Sequence, residues 1–211
     1  MHVIGFYLAD GFQTLDFAGP AAAFENAREQ LGFPAYRIVI LSEHGVVRNS
    51  LGLAFETHSV VTYPVDTLIV IGGVPGSLPA AAVLTQLVEA AGKCQRVASV
   101  CIGAFVLAAA HLLDGKRATT HWRFAARLQK EYPKVRVEAD RIFCQDAHIW
   151  TSAGITAGID LSLALIEQDH GFRIAQSVAQ ELVVYHRRLG GSHSLQLRWM
   201  LRRRMIESRL L

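Results

Sequence analysis

The stretch Val97-Ala98-Ser99-Val100-Cys101-Ile102-Gly103-Ala104-Phe105 constrains the fold more than any other part of the chain. A β-branched apolar run, Val97 to Val100, gives way at once to the helix-compatible run Ala104 to Leu113. The backbone must therefore pass from strand to helix around Cys101 with almost no loop. Such a corner holds one side chain up at the carboxyl end of a strand and the amino end of a helix, and Gly103 has the small side chain that a crowded turn requires. This is the layout of a nucleophile elbow with sulfur in place of hydroxyl. Orphan N–H groups and the positive end of the helix dipole predict a thiol shifted toward thiolate, below the free value of about 8.5. A buried, inert cysteine in an apolar strand fits the same letters.

Between Arg96 and Asp114 lie seventeen residues without a formal charge, near the lower limit for a membrane span. Ser99, Gly103 and His111 interrupt that run, and its composition changes from β-branched to alanine-rich halfway. It reads as strand plus buried helix, so no membrane partner is expected. The same alternation recurs along the chain and predicts an α/β fold with a doubly wound, mostly parallel sheet. Strands are expected at about Val3–Leu8, Tyr36–Leu41, Thr67–Ile71, Arg96–Val100 and Ile149–Ser152, with helices between them. With 211 residues, 51% apolar and 18% charged, the chain suits one large domain with a sizeable core and at most a short appendage.

The first helix is expected to start near Thr14, a capping residue after the turn chemistry of Asp10-Gly11-Phe12-Gln13. Asp16 then lies in the first helical turn, at the sheet edge where doubly wound folds bind ligands, facing the same crevice as Cys101. Asp16 also suits the helix dipole alone. Gly72 and Gly73, at the end of the strand Thr67–Ile71, let backbone N–H groups approach a ligand, as an oxyanion site beside Cys101 or as no more than a tight turn. No Gly-Lys-Ser/Thr follows, and no dinucleotide fingerprint opens a long helix here.

His121, in Thr119-Thr120-His121-Trp122 before a helix at 123–131, is a candidate proton carrier for a thiolate or a hydrogen-bonded structural histidine. The remaining histidines lack metal-ligand spacing, so neither metal nor cofactor is expected. Val135–Val137, Ile142–Gln145 and His148–Thr151 read as short strands. The glycine- and alanine-rich run Thr151–Asp160 permits close helix packing near the crevice, and helices at about 155–168 and 171–184 end the domain.

Three cysteines, Cys94, Cys101 and Cys144, with no C-x-x-C pair argue against a disulfide scaffold or a zinc site and suit a reducing cytoplasm. The amino terminus has no basic segment before its apolar run and reads as a first strand rather than a signal peptide. The net charge of +3 is uneven: residues 192–211 hold five arginines against Glu207, a balance of +4, which leaves −1 on residues 1–191.

These residues resemble the ThiJ/PfpI superfamily of class I glutamine-amidotransferase-like domains over nearly all of 3–191. The resemblance rests on Leu15-Asp16-Phe17-Ala18-Gly19-Pro20, Ile71-Gly72-Gly73, Ser99-Val100-Cys101-Ile102-Gly103, Leu113 to Trp122, and Thr151 to Asp160. It implies a flavodoxin-like three-layer sandwich, with Cys101 as the elbow thiol, Asp16 as the acid beside it, and Gly72 and Gly73 as backbone donors, next to Ile102. Ile102 stands where protease-like or amidotransferase relatives place a histidine and many hydratase-like ones a hydroxyl residue, so glutamine amidotransferase and protease activities are not expected.

The run Val183 to Gly191 looks most like the end of the amino-terminal domain of AraC-type transcription regulators, and the isonitrile-hydratase branch shares the aspartate, cysteine and Thr-Thr-His-Trp segments. The resemblance thus implies a domain over 1–191 and a basic carboxyl-terminal tail over 192–211. That tail is too short for two helix-turn-helix units; the expectation is a natural truncation, a divergent tail or a chain lacking its DNA-binding half.

Two functions follow. One is a ligand-sensing, catalytically inactive or vestigial domain of an AraC-family regulator that reaches DNA only through a helix-turn-helix domain. The other is a Cys101-dependent, isonitrile hydratase-like enzyme. A homodimer is expected from the resemblance alone.

Overall fold

A computed structural model describes residues 1–60 and 62–184. The expected boundary after Gly191, the run Tyr185 to Gly191 and the basic tail lie outside the described residues. The elements run in the order β1 (His2–Leu8), α1 (Thr14–Leu31), β2 (Tyr36–Ser42), β3 (Val46–Arg48), β4 (Ala54–Glu56), β5 (His58–Ser59), β6 (Thr67–Ile71), α2 (Ala81–Ala91), β7 (Arg96–Val100) and α3 (Gly103–Ala109). After these come β8 (Arg117–Ala118), a 3₁₀ turn (Trp122–Phe124) leading into α4 (Ala125–Glu131), β9 (Arg136–Val137), β10 (Phe143–Asp146), β11 (Ile149–Ser152), α5 (Ala157–His170) and α6 (Phe172–Glu181).

Seven strands form the main sheet in the order β10-β11-β7-β6-β1-β2-β5. All neighbouring pairs are parallel except β10 with β11. β6 and β7 are buried at every position, as central strands of a sheet covered on both faces must be. On one face Ile4, Phe6, Ile69, Ala98 and Trp150 pack under α1, α5 and α6. On the other, Tyr7, Leu68, Val70 and Val97 pack under α2, α3 and α4. The result is the doubly wound three-layer sandwich.

The chain folds locally for identifiable reasons. α1 is capped not by Thr14 but by Gln13, whose side chain accepts the N–H groups of Leu15 at 2.5 Å and Asp16 at 3.3 Å. Asn49, buried in the turn after β3, accepts from the Leu51 and Leu53 N–H groups and donates to Thr14 Oγ1. The β3–β4 hairpin, which sequence patterning does not mark, is thereby tied to the start of α1. Gly158, entering α5, packs on Pro20 of α1, the close approach expected of that glycine- and alanine-rich run.

At the amino ends of the strands, Arg96 is 8% exposed and reaches both carboxylate oxygens of Asp169 at 2.6 and 2.9 Å. The Tyr36 hydroxyl donates to the same carboxylate at 2.7 Å. Burial raises the Asp169 pKa, but Arg96 and Tyr36 outweigh it and hold the group below the usual carboxylate range. A depressed carboxylate stabilises the fold above its unfolded pKa of about 3.9, and the contribution fades as pH falls through the folded value. Asp169→Asn is therefore expected to cost about 2–4 kcal/mol in urea unfolding at pH 7, and the gap from wild type should narrow below about pH 4. A gap independent of pH would contradict this account of the pair.

Candidate functional site

Cys101 follows β7 directly and takes a φ of +56°, in the left-handed region that non-glycine residues adopt only when their surroundings force it. Its N–H donates to the Ser152 carbonyl at 3.1 Å, and its own carbonyl accepts from Thr120 Oγ1 at 2.7 Å. Gly154, at φ +84°, lies flat against it: a Cβ there would stand 2.3 Å from Cys101 Cβ and 2.8 Å from its Sγ. A Cβ on Gly103 would stand 2.1 Å from the Val70 carbonyl oxygen. The small residue expected two positions after the cysteine is thus required by β6 as much as by the turn.

Asp16, from the first turn of α1, is 1% exposed. Its Oδ1 accepts the Ile155 N–H at 2.5 Å, and its carboxyl group neighbours the Cys101 thiol, each shifting the other's titration. Ile155 sits at φ +52°, an uncommon conformation for a β-branched residue, and in that conformation it presents its N–H to the carboxyl. Asp16 and Cys101, 85 positions apart in the chain, are therefore brought into contact by α1, β7 and the turn between β11 and α5.

The electrostatics of the pair run against one expectation. Burial, and then the Asp16 charge, push the Cys101 thiol well above its ordinary value, with the Ile102 N–H opposing. The expected shift toward thiolate is reversed because the sulfur is largely removed from water, and an amide at the head of a seven-residue helix does not make up the loss. Burial also raises Asp16 against the opposing Ile155 N–H and Cys101 thiol. The site holds a thiol beside an acid whose proton is retained to higher pH than usual.

Gly72 lies against Ile102 and Gly103, and Gly73 against the Asp10 carbonyl oxygen; neither N–H is donated to another described residue. Ile102 lines a narrow cleft with Gly72, Phe105, Val106, Phe124 and Arg127. His121 is placed differently. Its Nδ1 accepts the Arg123 N–H at 3.3 Å, its ring contacts Trp122 and Phe124, and among the described residues it makes no hydrogen bond to Cys101. Burial and then Arg123 lower its pKa, so the ring is mainly neutral at pH 7. Thr120, Gly154 and Ile155 join the corner although no role was assigned to them from sequence; a left-handed isoleucine leaves no mark in the letters. Among the described residues no cluster of three or more His, Cys, Asp or Glu side chains is arranged to hold a metal, and no helix is long and apolar enough to cross a membrane.

A doubly wound sheet with a cysteine elbow and an acid from the first helix defines a class of α/β domain. Residues 2–168 match the DJ-1/PfpI family, and the chain belongs to it. It is 31% identical, over 87% of its length, to the HTH-type transcriptional regulator GbdR of Pseudomonas aeruginosa, of which it covers 51%. It is 34% identical, over 85% of its length, to the isonitrile hydratase of Pseudomonas putida, of which it covers 77%. An AraC family transcriptional regulator from Pseudomonas putida has the same fold, with a TM-score of 0.78 at 22% identity, over 86% of this chain and all of that one. The chain spans about half the length of the regulators GbdR and CdhR that it matches.

Iodoacetamide labelling of Cys101, followed by peptide mass spectrometry, is expected to keep accelerating past the free-thiol value of about pH 8.5. Asp16→Asn should raise the rate at pH 7 by about tenfold, the effect of one unit in thiol pKa. A plateau below about pH 7 would instead reveal a stable thiolate.

Proposed function

We propose that this chain is the ligand-sensing unit of an AraC-type transcription regulator, with the Cys101–Asp16 corner serving as the floor of a small-molecule site rather than as a nucleophilic centre. The observation that carries this reading is the enclosure of Cys101, 8% exposed with Gly154 flat against its Cβ and Sγ, a burial that pushes the thiol up. A cysteine nucleophile needs its thiolate, and Cys101 is hemmed in by Gly154 and Ile102. What the corner offers instead is recognition: a thiol and a carboxyl as paired polar groups, the free N–H groups of Gly72 and Gly73, and the apolar face of Ile102. His121 adds a neutral polar ring on the adjoining segment. The likeness to regulators that are about twice as long supports placing DNA contact in a separate helix-turn-helix domain. A cytoplasmic homodimer belongs to the same reading.

An enzyme is the second reading, favoured by the left-handed elbow with an acid beside it and by the likeness to isonitrile hydratase. There a Cys101 thiolate would add to an electrophilic carbon while protonated Asp16 delivers the proton.

Cyclohexyl isocyanide separates the two. Incubated with the purified chain, it is expected to yield no more N-cyclohexylformamide than with the Cys101→Ala variant, while a metabolite screen by thermal shift finds a ligand whose affinity falls about tenfold or more in Asp16→Ala. Formamide production that disappears in Cys101→Ala would overturn the sensing reading.

A further inference from the structure

At the amino ends of the strands the ring of His2 meets the buried arginine. His2 Nε2 stands 2.8 Å from Thr67 Oγ1 and 3.2 Å from Arg96 Nη2. Arg96 Nη2 also donates to Asp169 Oδ2, Nη1 donates to Asp169 Oδ1 and Gln168 Oε1, and Nε donates to Thr67 Oγ1 at 3.1 Å. A guanidinium has donors and no acceptor, so the ring nitrogen facing Arg96 is the acceptor and the ring proton lies on Nδ1. Thr67 Oγ1, already accepting from Arg96 Nε, has its own hydrogen to give to the same nitrogen. β1, β6, β7 and α5 thus close on one lone pair. α5 ends in this clasp and begins just after Ile155, whose N–H Asp16 accepts.

Among the described residues, the charged and titratable groups that face the ring are Arg96 from β7, Asp169 from α5, Asp66 just ahead of β6, Tyr36 from β2 with its ring edge-on at 6.0 Å, and the amino group of Met1. Asp66 accepts the Val3 N–H at 2.8 Å, and Asp169 is taken up by Arg96 and the Tyr36 hydroxyl. Burial and then Arg96 hold His2 below its ordinary value, with Asp169 and Asp66 opposing.

We propose that His2 is a proton-operated latch on β1: the neutral ring ties the strand to Arg96, and a proton taken from solvent onto Nε2 sets an N–H against the guanidinium and parts the two. The start of β1 is then released from Arg96 and, through it, from α5. Because the Thr67 hydroxyl can turn and accept from the protonated ring, the strand is loosened rather than unfolded. With its folded value below the unfolded value of about 6.5, the latch is closed above that pH, and its contribution is lost as pH falls toward the folded value. The latch stands whether the Cys101 corner senses or catalyses.

The test uses the whole chain. Long-range proton–nitrogen NMR of the imidazole at about pH 7.5 is expected to show Nδ1 protonated and Nε2 bare, with a titration midpoint below the ordinary value of about 6.5. Amide hydrogen exchange along β1, corrected for its intrinsic pH dependence, should report opening that rises about three- to tenfold between about pH 7.5 and pH 5, the factor for one hydrogen bond. His2→Gln supplies an amide oxygen that accepts from the same donors and does not titrate. It should leave exchange at about pH 7.5 within about twofold of wild type and abolish the rise, which separates His2 from the other histidines. The proposal is overturned if Nε2 carries the proton at about pH 7.5, if the midpoint is at or above about 6.5, or if His2→Gln opens with acid as wild type does.

Discussion

At the end of β7 the chain turns through a left-handed cysteine, and that turn exists only because three other segments come to backbone distance of it. Gly154 fills the space a side chain would otherwise claim, Gly103 lets α3 start against the Val70 carbonyl, and Thr120 fixes the Cys101 carbonyl. Asp16 reaches the same point from α1 and is oriented by the Ile155 N–H. The carboxyl and the thiol meet where little water enters, which raises the pKa of both.

Such a corner is costly in isolation. Left-handed backbone at Cys101 and Ile155 costs about 1–3 kcal/mol per residue, and a buried carboxyl adds desolvation. The sheet offsets these costs. β6 and β7 are buried on both faces, α1 and α5 are drawn together at Pro20 and Gly158, and Arg96 with Asp169 fastens the opposite end of the strands to α5. A rigid core therefore holds the strained residues in place, a division of labour common where backbone strain and a binding site coincide.

Much of this was legible in the letters. β6, β7 and β11 have the boundaries read from the sequence, because strands buried on both faces appear as unbroken apolar runs. The doubly wound architecture and the elbow at Cys101 followed from the alternation of strand-like and helix-like runs, and the start of α1 from the turn residues before Thr14. The β3–β4 hairpin did not, since its strands are three residues each and held by Asn49 rather than by an alternating pattern. Gln13 replaced Thr14 as the cap because a glutamine can fold back on the first turn where a shorter side chain is expected. The sign of the thiol shift was misread because a dipole argument needs only local sequence, whereas burial depends on Gly154, some fifty residues away.

The functional reading rests on the corner excluding water, which pushes up both the Cys101 thiol and the Asp16 carboxyl. Carbon-13 NMR of the Asp16 carboxyl through a pH titration, in wild type and in Cys101→Ala, examines that directly. The account predicts a midpoint clearly above the model-peptide value of about 3.9, and one still raised in the alanine variant, since burial is the larger cause. A midpoint at or below that value in wild type would mean that the carboxylate is charged and solvated, and the account of the corner would be wrong.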